Sequence, residues 1–327
     1  MTIFFIFAID IINSYKMNLQ QLEYIIALDN YKSFSKAAEA CFITQATLST
    51  MVKRLEEELD VVLFDRKTNP IITTDCGKEI IEEAKKVVFH KNYLVELAHQ
   101  VKGKIEGEIK IGIIPTIASN LLHRILPVIF HKYPNLRIRI EETTTQNVLD
   151  KLKKMEIDVG IVSTPLNHSE IEEEILYYEK LLVYGDNQKN RNYRTPKEID
   201  VEKLWLLQQG NCITDQIIDL CSLNNKMVYE NLKFQPNSFE TLLNLVDEFN
   251  GLTLIPELYY LDLPLAKKEK VSDFKSPFPV REISLVYHRP FAKLRLINAL
   301  SIEIRNIILP FLQTSKLKNK DMQIAKI

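Results

Sequence analysis

The chain has 327 residues, enough for two domains or slightly more, each able to bury its own core. Its 42 basic and 43 acidic side chains leave a net charge of −1, so bulk charge gives no sign of a nucleic-acid partner. Only eight glycines occur, far below the usual share of about 7%, and their spacing forms no G-x-G-x-x-G dinucleotide loop, no Walker A loop and no G-x-S-x-G nucleophile elbow.

Four cysteines, at positions 41, 76, 212 and 221, make no C-x-x-C, and six histidines make no H-E-x-x-H. No zinc site, other metal site, cofactor site or disulfide scaffold is expected. Residues 1–16 hold one short apolar run, 3–9, broken by Asp10, with no basic leader and no small-residue cleavage site. They read as an N-terminal extension, disordered or due to an upstream start codon, ahead of a protein that begins near Met17. Neither a signal peptide nor a membrane span is expected, and the location is cytoplasmic, where thiols stay reduced.

From Leu19 an apolar stripe runs through Leu22, Ile25, Ile26 and Leu28, the signature of a helix. Ser33 is a candidate N-cap for a second helix containing Phe34, Ala37, Ala38 and Cys41; Thr44 is the candidate cap of a third over 45–59. Two short helices joined by a tight turn make a helix-turn-helix. Residues 61–64 and 71–73 then flank the polar tip Asp65-Arg66-Lys67-Thr68-Asn69-Pro70, a β-hairpin wing. Over 78–101, Ile80, Ala84, Val87, Lys91, Leu94, Ala98 and Val101 step by four and three, a heptad seam best covered by a second copy of the chain. Gly103 and Gly107 end that helix and mark a hinge.

Beyond Gly107 strands and helices alternate. Ile109, Ile111 and Ile113, then Leu136, Ile138 and Ile140, have strand periodicity, helices cover 121–130 and 148–155, and 159–162 is a short buried strand. This βαβαβ pattern predicts a parallel sheet with helices on both faces. A second unit is expected from near Leu181, with strands at 205–207, 252–255 and 283–287 and a closing helix over 293–312. Two such lobes leave a cleft for a small ligand. The organisation read from the chain is therefore 1–16 extension, 17–75 winged helix-turn-helix, 76–106 linker helix, 107–315 two-lobed α/β domain and 316–327 a Lys-rich tail.

In this order the elements resemble the LysR-type transcriptional regulators, from Met17 to about Leu312. The residues that carry the likeness are Leu22-Glu23-Tyr24, Phe34-Ser35-Lys36-Ala37-Ala38, Thr44-Gln45-Ala46-Thr47-Leu48-Ser49, Leu55-Glu56, Leu63-Phe64-Asp65-Arg66 and Ile72-Thr73-Thr74-Asp75-Cys76-Gly77. Ala46 stands where the family has proline, and Cys76 where it has alanine. The C-terminal half is similar to the OxyR-like peroxide sensors of that family through Gly210-Asn211-Cys212-Ile213-Thr214-Asp215-Gln216, Cys221, Ile114-Pro115-Thr116, Thr145, Ser238-Phe239-Glu240-Thr241-Leu242, Leu254-Ile255-Pro256 and Leu285-Val286-Tyr287. Those sensors commonly carry histidine where this chain has Asn211.

The resemblance implies a winged helix-turn-helix and a linker helix followed by a regulatory domain of the periplasmic-binding-protein type. It also implies promoter DNA as partner, a homodimer through 78–101 that pairs into a dimer of dimers, contact with RNA polymerase, and hydrogen peroxide as signal. Helix three would enter the major groove. Gln45, Thr47 and Ser49 suit bases or sugars, with Ser35 and Thr44 beside them, and Lys53, Arg54 and Arg66 suit phosphates. Residues 17–75 carry six basic against nine acidic side chains, so affinity must come from placed contacts.

Cys41 and Cys76 read as small packing residues. Cys212 and Cys221 are nine apart, with a helix expected between them. Nine helical steps rise about 13.5 Å, whereas a disulfide needs Cα atoms within about 7 Å, so joining them requires that helix to unwind. By the resemblance, Cys212 is a thiolate at a helix N-terminus beside Arg281, oxidised to a sulfenic acid that Cys221 resolves, while Thr116, Thr145 and Asp215 hold peroxide or water. No enzymatic turnover is expected. The alternatives are a LysR-type regulator of a small organic effector, a thiol peroxidase, for which the winged helix has no use, and a periplasmic solute-binding protein, which residues 17–105 do not fit.

Overall fold

The structure is a computed structural model that describes residues 17–101, 105–166, 168–185, 195–208, 210–221, 234–288 and 293–326, with the side chains of 99–101 outside the description. The extension 1–16 and the hinge residue Gly103 lie outside the described residues, as does the side chain of the seam position Val101. The chain divides into two compact units that meet after Val101, and each is described by itself.

In the first unit, α1 (Leu19–Tyr31) starts on a capping box: Asn18 accepts from the Gln21 amide, and the Gln21 side chain returns to Asn18. Helix α2 (Phe34–Ala40) follows Ser33, whose side chain makes no cap bond. Helix α3 (Gln45–Leu59) is capped by Thr44, which accepts from the Thr47 amide at 3.2 Å. Its apolar positions Leu48, Val52 and Leu55 are buried with Ile25, Leu28 and Ala37. The wing is a two-stranded antiparallel pair, β1 (Phe64–Asp65) with β2 (Ile72–Thr73).

The linker helix α4 (Asp75–Val101) does not present its heptad seam uniformly. Ile81, Ala84 and Val88 are buried in the core of this unit, and Lys91 donates to Glu23 of α1 at 2.7 Å. Val87, between Ala84 and Val88, is exposed, and so are Tyr93, Leu94, Val95 and Leu97 farther along. One face of the helix is thus packed in the core of this unit, while apolar side chains on its other side are exposed among the described residues. Cys76, expected to pack, is exposed on the first turn of α4, whereas Cys41 is half-buried beside the core.

In the second unit, β3 (Gly107–Ile113) lies between parallel neighbours β4 (Leu136–Glu142) and β5 (Val159–Thr164), as the βαβαβ pattern predicts. Helices α5 (Pro115–Lys132) and α6 (Thr145–Lys153) are the crossovers. Gly160 sits where a Cβ would lie 2.4 Å from the Val148 side chain, so only glycine allows α6 this close to β5.

The sheet then passes between the lobes on two long strands. β9 (Phe278–His288) pairs antiparallel with β5, and β6 (Ile171–Tyr184) pairs antiparallel with β9. Ile171, Leu176 and Tyr177 of this 14-residue strand β6 are buried in the first lobe's core, and Leu181, Leu182, Val183 and Tyr184 in the second's, so the second lobe begins near Leu181. β7 (Thr253–Pro256) and β8 (Val271–Ser272) extend β6. Residues 205–207 are not a strand; the backbone makes one bridge, from Leu204 to Leu252, and the apolar run is explained by Trp205 and Leu207 being buried in the second lobe's core. Helices α7 (Cys212–Cys221), α8 (Phe239–Glu248), α9 (Glu257–Asp262), α10 (Leu265–Lys268) and α11 (Leu294–Ile308) complete the fold. The Lys-rich tail is not solvated throughout: β10 (Met322–Ile324) adds to β9 in parallel, and Ala325 is fully buried.

Candidate functional site

Two groups of side chains were expected to carry chemistry, one in each unit. In the first unit Ser35, Thr44, Gln45, Thr47, Lys53, Arg54 and Arg66 are all exposed, with Ser49 half-buried. Ser35 donates to Gln45 Oε1 at 2.7 Å, tying the first turn of α2 to that of α3 and leaving the Gln45 amide nitrogen free to donate elsewhere. Thr44 and Thr47 hydroxyls lie 2.9 Å apart on the cap. The cations are less free than the sequence implies. Lys53 pairs with Glu57 at 3.3 Å, and Arg66 pairs with Glu56 while stacking over the Phe34 ring. Glu56 also accepts from the Leu63 and Phe64 amides, so one carboxylate joins α3 to the wing. That role was not visible in the sequence, where Glu56 enters only as part of the Leu55-Glu56 likeness to the family.

In the second unit Cys212 is the first residue of α7. Gly210 two residues earlier has φ +94°, a turn that glycine adopts without strain. The Cys212 side chain is 3% exposed and packs in the core of the first lobe, whereas Cys221 at the other end is buried in the core of the second. Between them Ile213, Ile217 and Leu220 anchor α7 in the second lobe. The intervening helix is as expected, so both thiols are free and about two and a half turns apart.

Three helix N-termini carry residues named from the sequence. Thr145, the first residue of α6, places its hydroxyl 2.5 Å from Cys212 Sγ. Thr116, near the start of α5, accepts from Arg281 through both its hydroxyl, at 3.2 Å, and its carbonyl, at 2.9 Å. Arg281 on β9 is 1% exposed and donates from Nε to Glu179 Oε1 at 2.7 Å. Glu179 is directly opposite it in the β6–β9 register. Tyr177 is buried on the same strand, with a hydroxyl that has no hydrogen-bond partner. Asp215 is on the exposed side of the first turn of α7.

The surroundings of Cys212 work in both directions on the expected thiolate. Burial pushes the Cys212 thiol above its ordinary range; Thr145 opposes that through its hydrogen bond, Asp215 reinforces it through its charge, and Arg281 opposes it. Cys221 is pushed up to about 12 by burial. Asn211 turns its side-chain amide back to the Gln208 carbonyl at 2.9 Å. Of the residues named from the sequence, the structure joins Thr145 to Cys212 and Thr116 to Arg281. Glu179 was missed; in the sequence it is one of four glutamates within 171–184, and only the pairing of β6 with β9 singles it out.

No group of three or more histidine, cysteine or acidic side chains that could hold a metal ion occurs among the described residues. No helix there is long and apolar enough to cross a membrane.

Comparison with known proteins covers both units. Residues 19–78 match the bacterial regulatory helix-turn-helix family of the lysR type, and residues 102–305 match the LysR substrate binding domain. The hydrogen peroxide-inducible genes activator of Haemophilus influenzae is 32% identical over 300 residues, covering 89% of this chain and 99% of that protein. The DNA-binding transcriptional dual regulator OxyR of Escherichia coli is 32% identical over 284 residues, covering 85% of this chain and 92% of that protein. Among solved structures, a cysteine-to-aspartate variant of full-length OxyR from Pseudomonas aeruginosa superposes with TM-score 0.69 at 28% identity, covering 88% of this chain and 98% of that one. With a winged helix-turn-helix, a linker helix and a two-lobed regulatory unit all in place, the chain belongs to the LysR family of DNA-binding transcriptional regulators, in its OxyR-like branch.

Proposed function

We propose that this chain senses hydrogen peroxide through oxidation of Cys212 and disulfide formation with Cys221, and changes its grip on promoter DNA as a result. The observation that carries the reading is the division of the two thiols between two cores: Cys212 is in the first lobe, Cys221 in the second, and α7 is the only covalent path of nine residues between them. A bond between them cannot form without moving α7, so the chemistry and the conformational change are the same event.

The thiolate of Cys212 attacks one peroxide oxygen. The O–O bond breaks, the departing hydroxide takes a proton and leaves as water, and the sulfur keeps one oxygen as a sulfenic acid. Thr145 and Arg281 are the groups that favour the thiolate. Thr116, bonded to Arg281, and Asp215, on the open side of the turn, are candidates to hold peroxide or water. The Cys221 thiolate then attacks the oxidised sulfur, an S–S bond forms, and a second water leaves. Exposing Ile213, Ile217 and Leu220 would cost on the order of 5 kcal/mol if each contributes about 1.5–3 kcal/mol. Cleavage of a peroxide bond is strong enough to drive that change. The relatives named as peroxide-inducible activators, and a hydrogen peroxide-bound OxyR mutant of Corynebacterium glutamicum that matches this chain with TM-score 0.59, support the same reading.

Each oxidation is a single signalling event, so the chain is a regulator and not an enzyme. Its partners are double-stranded promoter DNA, a second copy through the exposed distal turns of 78–101, a dimer of dimers, and RNA polymerase at activated promoters. A DNA partner puts it in the cytoplasm. The DNA contacts are assigned to Ser35, Thr44, Gln45, Thr47 and Ser49 at bases and sugars and to Lys53, Arg54 and Arg66 at phosphates, with Lys53 and Arg66 leaving their carboxylate partners on binding.

The test is a promoter footprint of reduced and peroxide-treated protein beside Cys212→Ser. The expected result is an oxidation-dependent shift in the footprint that the variant lacks. A footprint that responds to a metabolite and is indifferent to Cys212→Ser would replace this reading with regulation by an organic effector.

A further inference from the structure

Gln45 is the first residue of α3, and its side chain is exposed. In a helix-turn-helix the residues at the start of that second helix reach base edges in the major groove. Its neighbours there have less to offer a base: Ala46 has a methyl group, and the Thr44 and Thr47 hydroxyls engage each other at 2.9 Å. A free glutamine amide pairs with adenine through both its ends, the oxygen accepting from N6 and the nitrogen donating to N7. Gln45 does not have both ends to offer. Ser35, in the first turn of α2, donates its hydroxyl proton to Gln45 Oε1 at 2.7 Å. The oxygen is thereby turned toward α2, and the group left over is Nε2, which carries only donors. The turn between the helices fixes this register, since the Phe42 amide donates to the Glu39 carbonyl and the Ile43 amide to the Ala38 carbonyl, both at 3.0 Å. Below it Ala37, Ala38 and Leu48 are buried in one core.

We infer that Ser35 is a positioning residue that sets the base read by Gln45: by occupying Oε1 it leaves the amide a donor only, which selects a keto base, guanine or thymine, over adenine or cytosine. The inference rests on Gln45 being a base contact, as assigned above. In the major groove guanine presents N7 and O6 and thymine presents O4, all acceptors, whereas adenine N6 and cytosine N4 are amino donors. A donor held against a donor leaves both without a partner in a contact that has lost its water, and that unmet bonding is the source of the discrimination. Adenine keeps N7 as an acceptor, so N6 weakens its contact without abolishing it. No charge competes for the role at this tip, because Glu39 is the only charged side chain between Lys36 and Lys53. The selectivity therefore comes from a hydroxyl on the neighbouring helix, acting through the amide it orients.

The experiment starts from a duplex obtained by repeated selection of random-sequence DNA on the full-length reduced protein. Each base pair of the selected site is replaced in turn, and affinities are measured by gel shift for wild type, Gln45→Ala, Ser35→Ala and Ser35→Thr. The pair at which Gln45→Ala loses base preference is the one contacted. There, 6-thioguanine or 4-thiothymine puts a weak acceptor in place of the keto oxygen, while purine for adenine or 2-pyrimidinone for cytosine removes the amino group from the opposite strand. The keto change is expected to weaken wild-type binding by about fivefold or more and to leave Gln45→Ala unaffected, and the amino change to act alike on both. Reversing the pair, which sets an amino base in place of the keto base, should cost wild type about tenfold. In Ser35→Ala that cost should shrink to about threefold or less when the base is adenine, because the freed amide can use both its ends. Ser35→Thr retains the hydroxyl and should match wild type. Dependence of the Gln45 contact on the amino group overturns the inference, and so does a Ser35→Ala protein that keeps the wild-type preference, even if it binds all duplexes more weakly. Both results leave Gln45 as a base contact. If Gln45→Ala changes the preference at no pair, the assignment of Gln45 to a base fails, and the inference falls with it. Both side chains are exposed, so folding is not at stake, and circular dichroism checks this.

Discussion

Burial pushes the Cys212 and Cys221 thiols up from their ordinary value, and this has a consequence for stability. Both are raised above the ordinary thiol value of 9.0, Cys221 to about 12. Above pH 9 the unfolded chain releases thiol protons that the folded chain retains, so the folded state binds more protons and stability falls as pH rises. The contribution is fully present below the unfolded value and is lost progressively toward the folded one. At about pH 10 the loss from Cys221 alone is near 1.4 kcal/mol. Urea unfolding of the reduced protein at about pH 7 and 10 should show the fall, and Cys221→Ala should lessen it by that amount. Buried tyrosines such as Tyr184, raised by burial and by Asp247, act in the same direction in both proteins, which is why the difference between wild type and variant is the readout. An identical pH dependence in the two would mean that Cys221 is not shielded as the structure has it.

At the scale of elements, the switch depends on how firmly α7 is attached. Its middle is held from outside the helix: Gln216 is fully buried and donates to the Ser163 hydroxyl at 3.0 Å and to the Ala325 carbonyl at 3.3 Å. The second bond comes from the C-terminal tail, which is itself fixed by the β10–β9 pairing and by the Ala325 amide donating to Val280 at 2.8 Å. Removing residues 322–327 deletes one clasp on α7 and uncovers apolar surface of the second lobe. The truncated protein is expected to melt a few degrees lower, as a loss of about 1 kcal/mol would produce, and to form the Cys212–Cys221 disulfide several-fold faster after a peroxide pulse, read by quenched thiol labelling. An unchanged rate would show that α7 leaves its place without releasing the tail.

For the whole molecule the decisive element is the distal half of the linker helix. Leu94 is 66% exposed, with Tyr93, Val95 and Leu97 also open, an apolar face that a second copy would cover. With fewer basic than acidic side chains in residues 17–75, one DNA-binding unit has little electrostatic attraction for the duplex, and two joined units gain through effective concentration. Leu94→Glu is expected to shift the protein toward monomer in sedimentation velocity and to weaken specific DNA binding by about a hundredfold or more, while leaving the circular dichroism intact. A Leu94→Glu protein that remains dimeric would move the interface away from this helix.

What could be read from the chain alone was whatever is decided within a turn or two of backbone. The cap at Thr44, the stripe of Leu48, Val52 and Leu55, the alternation of Ile109, Ile111 and Ile113, and the helical spacing of Cys212 and Cys221 all express local periodicity. The two-unit plan follows from their order. Only the tertiary structure decided which residues meet. Arg281 and Glu179 are 102 residues apart, and their pairing depends on β6 lying beside β9. The heptad seam divides between core and surface because α1 covers only one face of α4. The apolar run at 205–207, with strand character in sequence, is coil because burial alone satisfies its side chains. The tail, Lys-rich in composition, becomes a strand because β9 has a free edge there. Hydrophobic pattern says that a residue will be buried; it does not say against what, and the reactivity of Cys212 is set by that second fact.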